Sequence, residues 1–419
     1  MSEKRILIVG GGFAGVHAAA GAAATLRGRR DDIRVELVSP DPYLTIRPRL
    51  YESDLSGARI PLEGLLAPIG VAYRRSSVLR IDAAGRTASI EGEPDPVAYG
   101  QLVLAAGSSV TTPAGRNVHA VDDYARAAEF HRTLRERGTR DRGTIIVGAG
   151  FTGVELAAEI AGDEHVTLLE SQDRIAPEFG PRARAVIGSA LESLGVQTRV
   201  GVAVRDVTAD GVRLDDGSLV AGDLVVWAAG PRPSPLAGQI GAPLDRLGRL
   251  RVDATLSSGV GAVWAAGDVA AAPVDGSHDA VMSCQHAMPQ GRRAGENAAR
   301  AALGAPARAY TQPLYLTCLD LGAHGALLTC GFDRDTVLAT GAHAKDFKRY
   351  INRSVIYPPH SSNTDALLAI GRPGPVGPAG ARLTRLALRS GHLRRRVTAG
   401  AEDRASLFAD TEGDLESVA

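Results

Sequence analysis

The sequence predicts an α/β protein made of two Rossmann-like dinucleotide-binding domains, the second inserted in the first, followed by a C-terminal α+β region. Three observations carry this reading. Arg5-Ile-Leu-Ile-Val9 is an apolar strand that runs into Gly10-x-Gly12-x-x-Gly15 and then an alanine-rich, helix-like stretch to Leu26. The same order returns at Thr144-Ile-Ile-Val-Gly-Ala-Gly-Phe-Thr-Gly153, followed by Val154 to Ala161. Three later apolar strands also run into glycine, at Leu102 to Gly107, Asp223 to Gly230 and Gly261 to Asp268. In such a turn Gly10 allows the tight bend, Gly12 lets backbone approach a pyrophosphate, and Gly15 lets helix and strand pack closely, with helix N–H groups facing the phosphates. One turn alone is weak evidence. Two in one chain predict two nucleotide cofactors, a flavin and a nicotinamide.

Composition narrows the class. A chain of 419 residues holds two or three domains, and 44% hydrophobic content is enough to bury ordinary cores. Lys plus Arg and Asp plus Glu both number 47, so no net field favours nucleic acid. Almost all the basic residues are arginine, with lysine only at positions 4, 345 and 348. The cysteines at 284, 318 and 330 are too isolated for a disulfide framework, a metal site or a Cys-x-x-Cys redox pair. The first strand leaves no room for a secretory leader, and no apolar run reaches the roughly 18 residues of a membrane span. A cytoplasmic location is the expectation.

The elements follow in order. Arg34-Val-Glu-Leu-Val38 reads as the second strand and ends at Ser39, where a Rossmann unit usually offers an acid to the adenosine ribose. Ser39 offers one hydroxyl, with Asp41 placed to lean back. Pro42 to Tyr51 is too apolar for a bland loop and is expected over the cofactor. Val78 to Asp82 and Thr87 to Ile90 read as further strands, and a polar helix over Asp122 to Arg137 leads to the second glycine turn. There His165-Val-Thr-Leu-Leu ends in Glu170, near the expected separation of ~20 residues from the turn, so Glu170 is the expected reader of the nicotinamide adenosine ribose. Its carboxylate favours NADH over NADPH. Leu219 to Gly230 reads as one strand entering a glycine turn, and Pro231 to Pro235 closes the insert. Asp268 is expected to meet a polyhydroxylated chain. Gln285 to Leu303 reads as a helix interrupted by Gly295, and short strands are expected from 311 to 340. The boundaries are 1–112 with 241–310 for the flavin domain, 113–240 for the nicotinamide domain, 311–370 for the C-terminal domain and 371–419 for linker and tail.

These residues resemble the two-dinucleotide flavoprotein reductases, and among them the type II NADH dehydrogenases, single-chain NADH:quinone oxidoreductases. The resemblance covers roughly residues 4 to 350. It rests on Gly-Gly-Gly-Phe-Ala-Gly15, Arg47-Pro-x-x-Tyr51, Leu104-Ala-Ala-Gly-Ser108, Gly-Ala-Gly-Phe-Thr-Gly-Val-Glu155, Trp227-Ala-Ala-Gly230 and Ala266-Gly-Asp268. It implies FAD on Gly10, Gly12, Phe13, Ala14, Gly15, Ser39, Arg47, Val78, Ala106, Gly107, Gly267, Asp268 and Gln285. It implies NADH on Gly150, Phe151, Thr152, Glu155, Glu170, Ala229 and Gly230. The family's quinone-side pattern Ala-Gln-x-Ala-x-x-Gln appears as Cys284-Gln-His-Ala-Met-Pro-Gln290, and Arg47 and Ser39 stand where many members have Gln and an acid.

The chemistry implied is hydride transfer from NADH to the flavin and onward transfer to a small, quinone-like acceptor. Glu155, read as lying in the first turn of its helix and kept ionised by the dipole, is a candidate to orient nicotinamide or manage a proton. Gln285 and His286 enter a helix whose N-terminus favours negative charge on a reduced flavin, with His286 a candidate proton donor to the acceptor. Cys284 reads as a small packed residue. A soluble protein or biosynthetic molecule as acceptor, and a redox-sensing protein resembling apoptosis-inducing factor, stay open, as does a homodimer. Leu383, Leu386, Ala387 and Leu393 fall on one helical face among arginines at 381–396, a pattern suited to peripheral membrane contact or to a solvated basic tail.

Overall fold

A computed structural model describes residues 4–29, 32–137, 143–312, 315–359 and 363–372. The Pro/Gly-rich linker from 373 and the basic segment 381–396 lie outside the described residues.

Two parallel five-stranded sheets are built to one plan. In the first, the strand order is Val263–Ala265, Gln101–Leu104, Arg5–Val9, Arg34–Val38, Ala72–Arg74. In the second it is Val118–His119, Leu224–Trp227, Thr144–Val147, Val166–Leu169, Gln197–Arg199. The strand before each glycine turn therefore sits mid-sheet, with its sequential neighbour on one side and a later strand on the other. That reversal opens a crevice at the carboxyl ends of the strands, where α/β proteins bind ligands. The repeat extends further. Each sheet has a three-stranded antiparallel meander just before the returning strand, Val78–Asp82 with Thr87–Ile90 and Val97–Ala98, and Val204–Thr208 with Gly211–Leu214 and Leu219–Ala221. Residues 219 to 230, expected to form one strand, are thus two. The chain breaks at Gly222-Asp223, so that Leu219–Ala221 completes the meander and Leu224–Trp227 enters the parallel sheet.

The glycine-turn helix Phe13–Leu26 packs along the helix Cys284–Ala302. Gly295, expected to interrupt the latter, instead lies inside it at a close crossing. A Cβ there would lie 1.9 Å from the Ala18 carbonyl oxygen, and one on Gly291 would lie 2.1 Å from that of Ala14. Backbones this close leave no room for a side chain, so glycine is required by packing rather than by a helix end. A third antiparallel sheet, Leu316–Asp320, Ala326–Cys330 and Thr336–Thr340, follows, backed by the helix Gly341–Tyr350. Its other face sends Leu319 and Leu327 into the core around Val154, Leu156 and Tyr51. This sheet brings the C-terminal region against the helix of the second glycine turn. Among the described residues no helix is long and apolar enough to cross a membrane.

Candidate active site

The first turn has φ +110° at Gly10, and a Cβ at Gly15 would lie 1.8 Å from the Gly10 carbonyl oxygen. Only glycine suits either position. A Cβ on Gly12 would meet nothing within 4 Å, so the face expected to receive a pyrophosphate is open. Around it the carboxyl ends of the sheet converge. Gly267 packs on Ala14 and Ala287, and its N–H donates to Gln290 Oε1 at 2.7 Å. Ser108, next to Ala106-Gly107, donates its hydroxyl to Asp268 Oδ2 at 2.6 Å, and Arg47 Nη1 reaches the same oxygen at 3.4 Å and the Ser108 carbonyl at 3.3 Å. Phe13 and Ala14 are buried at the helix start.

Ser39 is buried against Gly11, but its hydroxyl donates to the Asp41 carbonyl. Asp41 does not lean back as expected. Its carboxylate accepts from the Tyr43 N–H at 3.1 Å and faces Arg59, because the turn after Pro40 needs that cap. Val78 lies behind this corner, packed with Val9, Val38 and Ala106.

At the second turn φ is +104° at Gly148, and the Cβ position of Gly153 is 1.9 Å from the Gly148 carbonyl oxygen. Ala229, beside Gly230, packs on Gly148. Glu170 is buried with Oε2 accepting from the Ala149 N–H at 2.9 Å and Oε1 from the Gln172 N–H at 2.9 Å. These bonds hold the carboxylate at the edge of the turn. Gly150 caps the helix, Phe151 opens it and Thr152 is exposed. Glu178 stands in front, its Oε1 accepting from the Phe151 N–H at 3.2 Å.

Between the two turns lies a buried charge cluster that joins three parts of the chain. Glu155 comes from the second turn of the helix Phe151–Ile160, not the first, so the helix dipole does not explain its state. Its carboxylate meets Lys348 Nζ at 2.8 Å and accepts from the Asp320 N–H at 2.9 Å. Glu155 and Lys348 are 3% and 4% exposed, which decides the electrostatics. Burial pushes the Glu155 carboxyl up to about 7 against the opposing pull of Lys348. Lys348, despite burial, is held above the usual lysine value by Glu155. Asp320 in turn accepts from Lys345 Nζ at 2.6 Å and from the Tyr51 hydroxyl at 3.1 Å. Lys348 also faces the Phe151 ring, its ammonium 5.2 Å from the centroid.

Cys284 ties this cluster to the first turn, because its thiol lies within electrostatic reach of both Lys348 and Asp268. Burial raises that thiol to about 11, so it is an inert packed residue at neutral pH. Gln285 follows in the first helical turn, partly exposed. His286 departs from its expected part. It is buried, stacked on Tyr315 with ring centroids 4.9 Å apart, and burial lowers it to about 4. A neutral imidazole at pH 7 has no acidic proton of imidazolium type to give. Glu155, by contrast, is a carboxyl that burial raises toward neutrality while it faces the Lys348 ammonium.

Sequence reasoning missed Lys348, Asp320, Lys345, Gln290 and Glu178. The lysines carried a signal: in a chain that uses arginine almost throughout, two of its three lysines are three residues apart and meet here. Gln290 stands at the first turn, fully buried, with its Oε1 taken by the Gly267 N–H and its side chain also meeting Tyr310. The open face at Gly12 and the Arg47–Ser108–Asp268 group suit a dinucleotide with a charged pyrophosphate and a hydroxylated chain.

Comparison with known proteins agrees with this geometry. The family described as pyridine nucleotide-disulphide oxidoreductase matches residues 4–291. An NADH dehydrogenase-like protein of Mycobacterium tuberculosis is 42% identical over 397 residues, covering 88% of this chain and 98% of that protein. The type II NADH:quinone oxidoreductase of the same organism is 28% identical, covering 64% of this chain and 67% of its own length. Among solved structures, a ferredoxin reductase from Rhodopseudomonas palustris shares the fold with a TM-score of 0.65 at 22% identity, over 78% of this chain and 82% of its own. The chain therefore belongs to the pyridine nucleotide-disulphide oxidoreductase family and is an FAD- and NAD(H)-dependent oxidoreductase of NADH dehydrogenase type.

Proposed function

We propose that the chain oxidises NADH and passes the electrons to a quinone-like acceptor, with FAD on the first glycine turn and NADH on the second. FAD held there would supply the two-electron chemistry, taking hydride from NADH and passing the electron pair to the acceptor. The chain's own residues position and tune. Arg47 and Asp268 flank the open face at Gly12, one suited to the pyrophosphate charge and the other to a hydroxyl. Glu170 presents a fixed carboxylate to a ribose and repels a 2′-phosphate.

The observation that carries the acceptor class is the buried Glu155–Lys348 pair. A hydride brings two electrons and one proton, whereas reducing a quinone to a quinol takes two electrons and two protons. Each turnover therefore needs one further proton. A ferredoxin-type acceptor needs none. Glu155, with its carboxyl raised by burial to about 7, is partly protonated near neutral pH, which suits a general acid at this step. The relative named as a type II NADH:quinone oxidoreductase supports the same reading. The test is anaerobic. NADH should bleach the flavin absorbance, and a water-soluble quinone should restore it faster than a ferredoxin does. Preferential reoxidation by the ferredoxin would reject a quinone acceptor.

A further inference from the structure

The second glycine turn already carries an anion. The Glu178 carboxylate accepts from the Phe151 N–H at 3.2 Å, and the same oxygen lies 2.9 Å from the Cβ position of Gly150. This is the place, at the N-terminus of a ten-residue helix, where the turn would receive a pyrophosphate. The segment that delivers Glu178 is pinned on both sides. Ala176 N–H donates to the Ala149 carbonyl at 2.8 Å, Phe179 is buried and stacked on Phe151, and Asp335 accepts from the Arg182 N–H at 2.7 Å. The backbone of Glu178 is thus fixed beside the turn, and its exposed carboxylate is tied there by the Phe151 N–H.

Resting on the assignment of NADH to this turn, we propose that Glu178 is a resident competitor for the pyrophosphate and sets the enzyme's affinity for nicotinamide dinucleotides. NADH must displace the carboxylate from the Phe151 amide and bring negative charge next to it. NAD+ carries the same pyrophosphate, so its binding is weakened as well. An effect shared by substrate and product raises KM and speeds product release without touching hydride transfer. Among the described residues nothing lies within 4 Å of the Cβ position of Gly12 at the first turn, in keeping with a cofactor that stays bound while the second nucleotide comes and goes.

The experiment is calorimetric titration of ADP-ribose, which carries the pyrophosphate without the reacting ring, into FAD-loaded wild type, Glu178→Gln and Glu178→Ala. Glutamine keeps the size and the acceptor oxygen but removes the charge. Both variants should bind about three- to tenfold more tightly, and the gap should narrow between about 0.02 M and 0.5 M salt as exposed charges are screened. Equal or weaker binding by a variant with an unaltered flavin spectrum would overturn the role of Glu178 alone. Absence of binding by all three proteins would remove the nucleotide from this turn and overturn both readings.

Discussion

The two glycine turns share a spacing, a mid-sheet position and nearly the same φ at their first glycine, yet they face different surroundings. Before the first, Gly12 looks on open space flanked by Arg47, Ser108 and Asp268. Before the second, Gly150 looks on Glu178, with Glu170 fixed at its side. One duplicated framework has thus been given an arginine paired with a carboxylate in one copy and two carboxylates in the other. The first suits a resident cofactor held through its phosphates. On the proposals above, the second would suit a nucleotide selected by its ribose and held weakly enough to leave.

The largest expected effects come from filling the turns themselves. A valine at Gly15 or at Gly153 would drive its Cβ into a carbonyl oxygen less than 2 Å away. Gly15→Val should yield protein with less than about a tenth of the wild-type flavin, since backbone must move and overpacking of this kind exceeds the usual few kcal/mol. Gly153→Val should keep its flavin and lose bleaching by NADH. Absorbance spectra of the two variants decide this, and the reverse pattern would exchange the cofactors between the turns.

Lys348→Met leaves Glu155 buried without its partner and should cost about 3–5 kcal/mol of stability above pH 8. The sign follows from the raised carboxyl. Without the pull of Lys348 the carboxyl rises above the wild-type value of about 7, so the variant keeps its proton to higher pH and the destabilisation grows as pH rises from about 7 upward. Denaturant unfolding at pH 6 and pH 8.5 measures it, and the double variant with Glu155→Gln should recover most of the loss. A smaller effect is expected at the ribose. Wild type should prefer NADH over NADPH by about 10- to 150-fold, the worth of a charge-assisted hydrogen bond, and Glu170→Ala should bring the ratio of kcat/KM values toward one. An unchanged ratio would move ribose recognition to another group.

What the sequence made legible is what local physics demands. The strands ending at Gly10, Gly107, Gly148, Gly230 and Gly267 were readable because glycine spacing and apolar runs are properties of short segments. The convergence of Arg47 with Asp268 was readable only by resemblance, since 221 positions separate them. Lys348 was not read at all. Its meaning arises when a C-terminal helix lays it against a residue 193 positions earlier, and no periodicity encodes that pairing. Gly295 was misread for the same reason, because its glycine answers to the Ala18 backbone across a helix crossing. His286 was misread because burial, which lowers its basicity, is a tertiary property.

The central claim is that the acceptor takes a proton from Glu155 as well as electrons. The most direct measurement is the pH dependence of reoxidation of the NADH-reduced enzyme by a water-soluble quinone, set beside reoxidation by ferricyanide, which takes electrons alone. With the quinone, the rate should fall as pH rises through about 7, up to tenfold per pH unit, as Glu155 loses its proton. Glu155→Gln should be slow and flat across the same range, and ferricyanide should show no such fall with either protein. A quinone profile identical to that for ferricyanide, or unchanged in Glu155→Gln, would contradict the account.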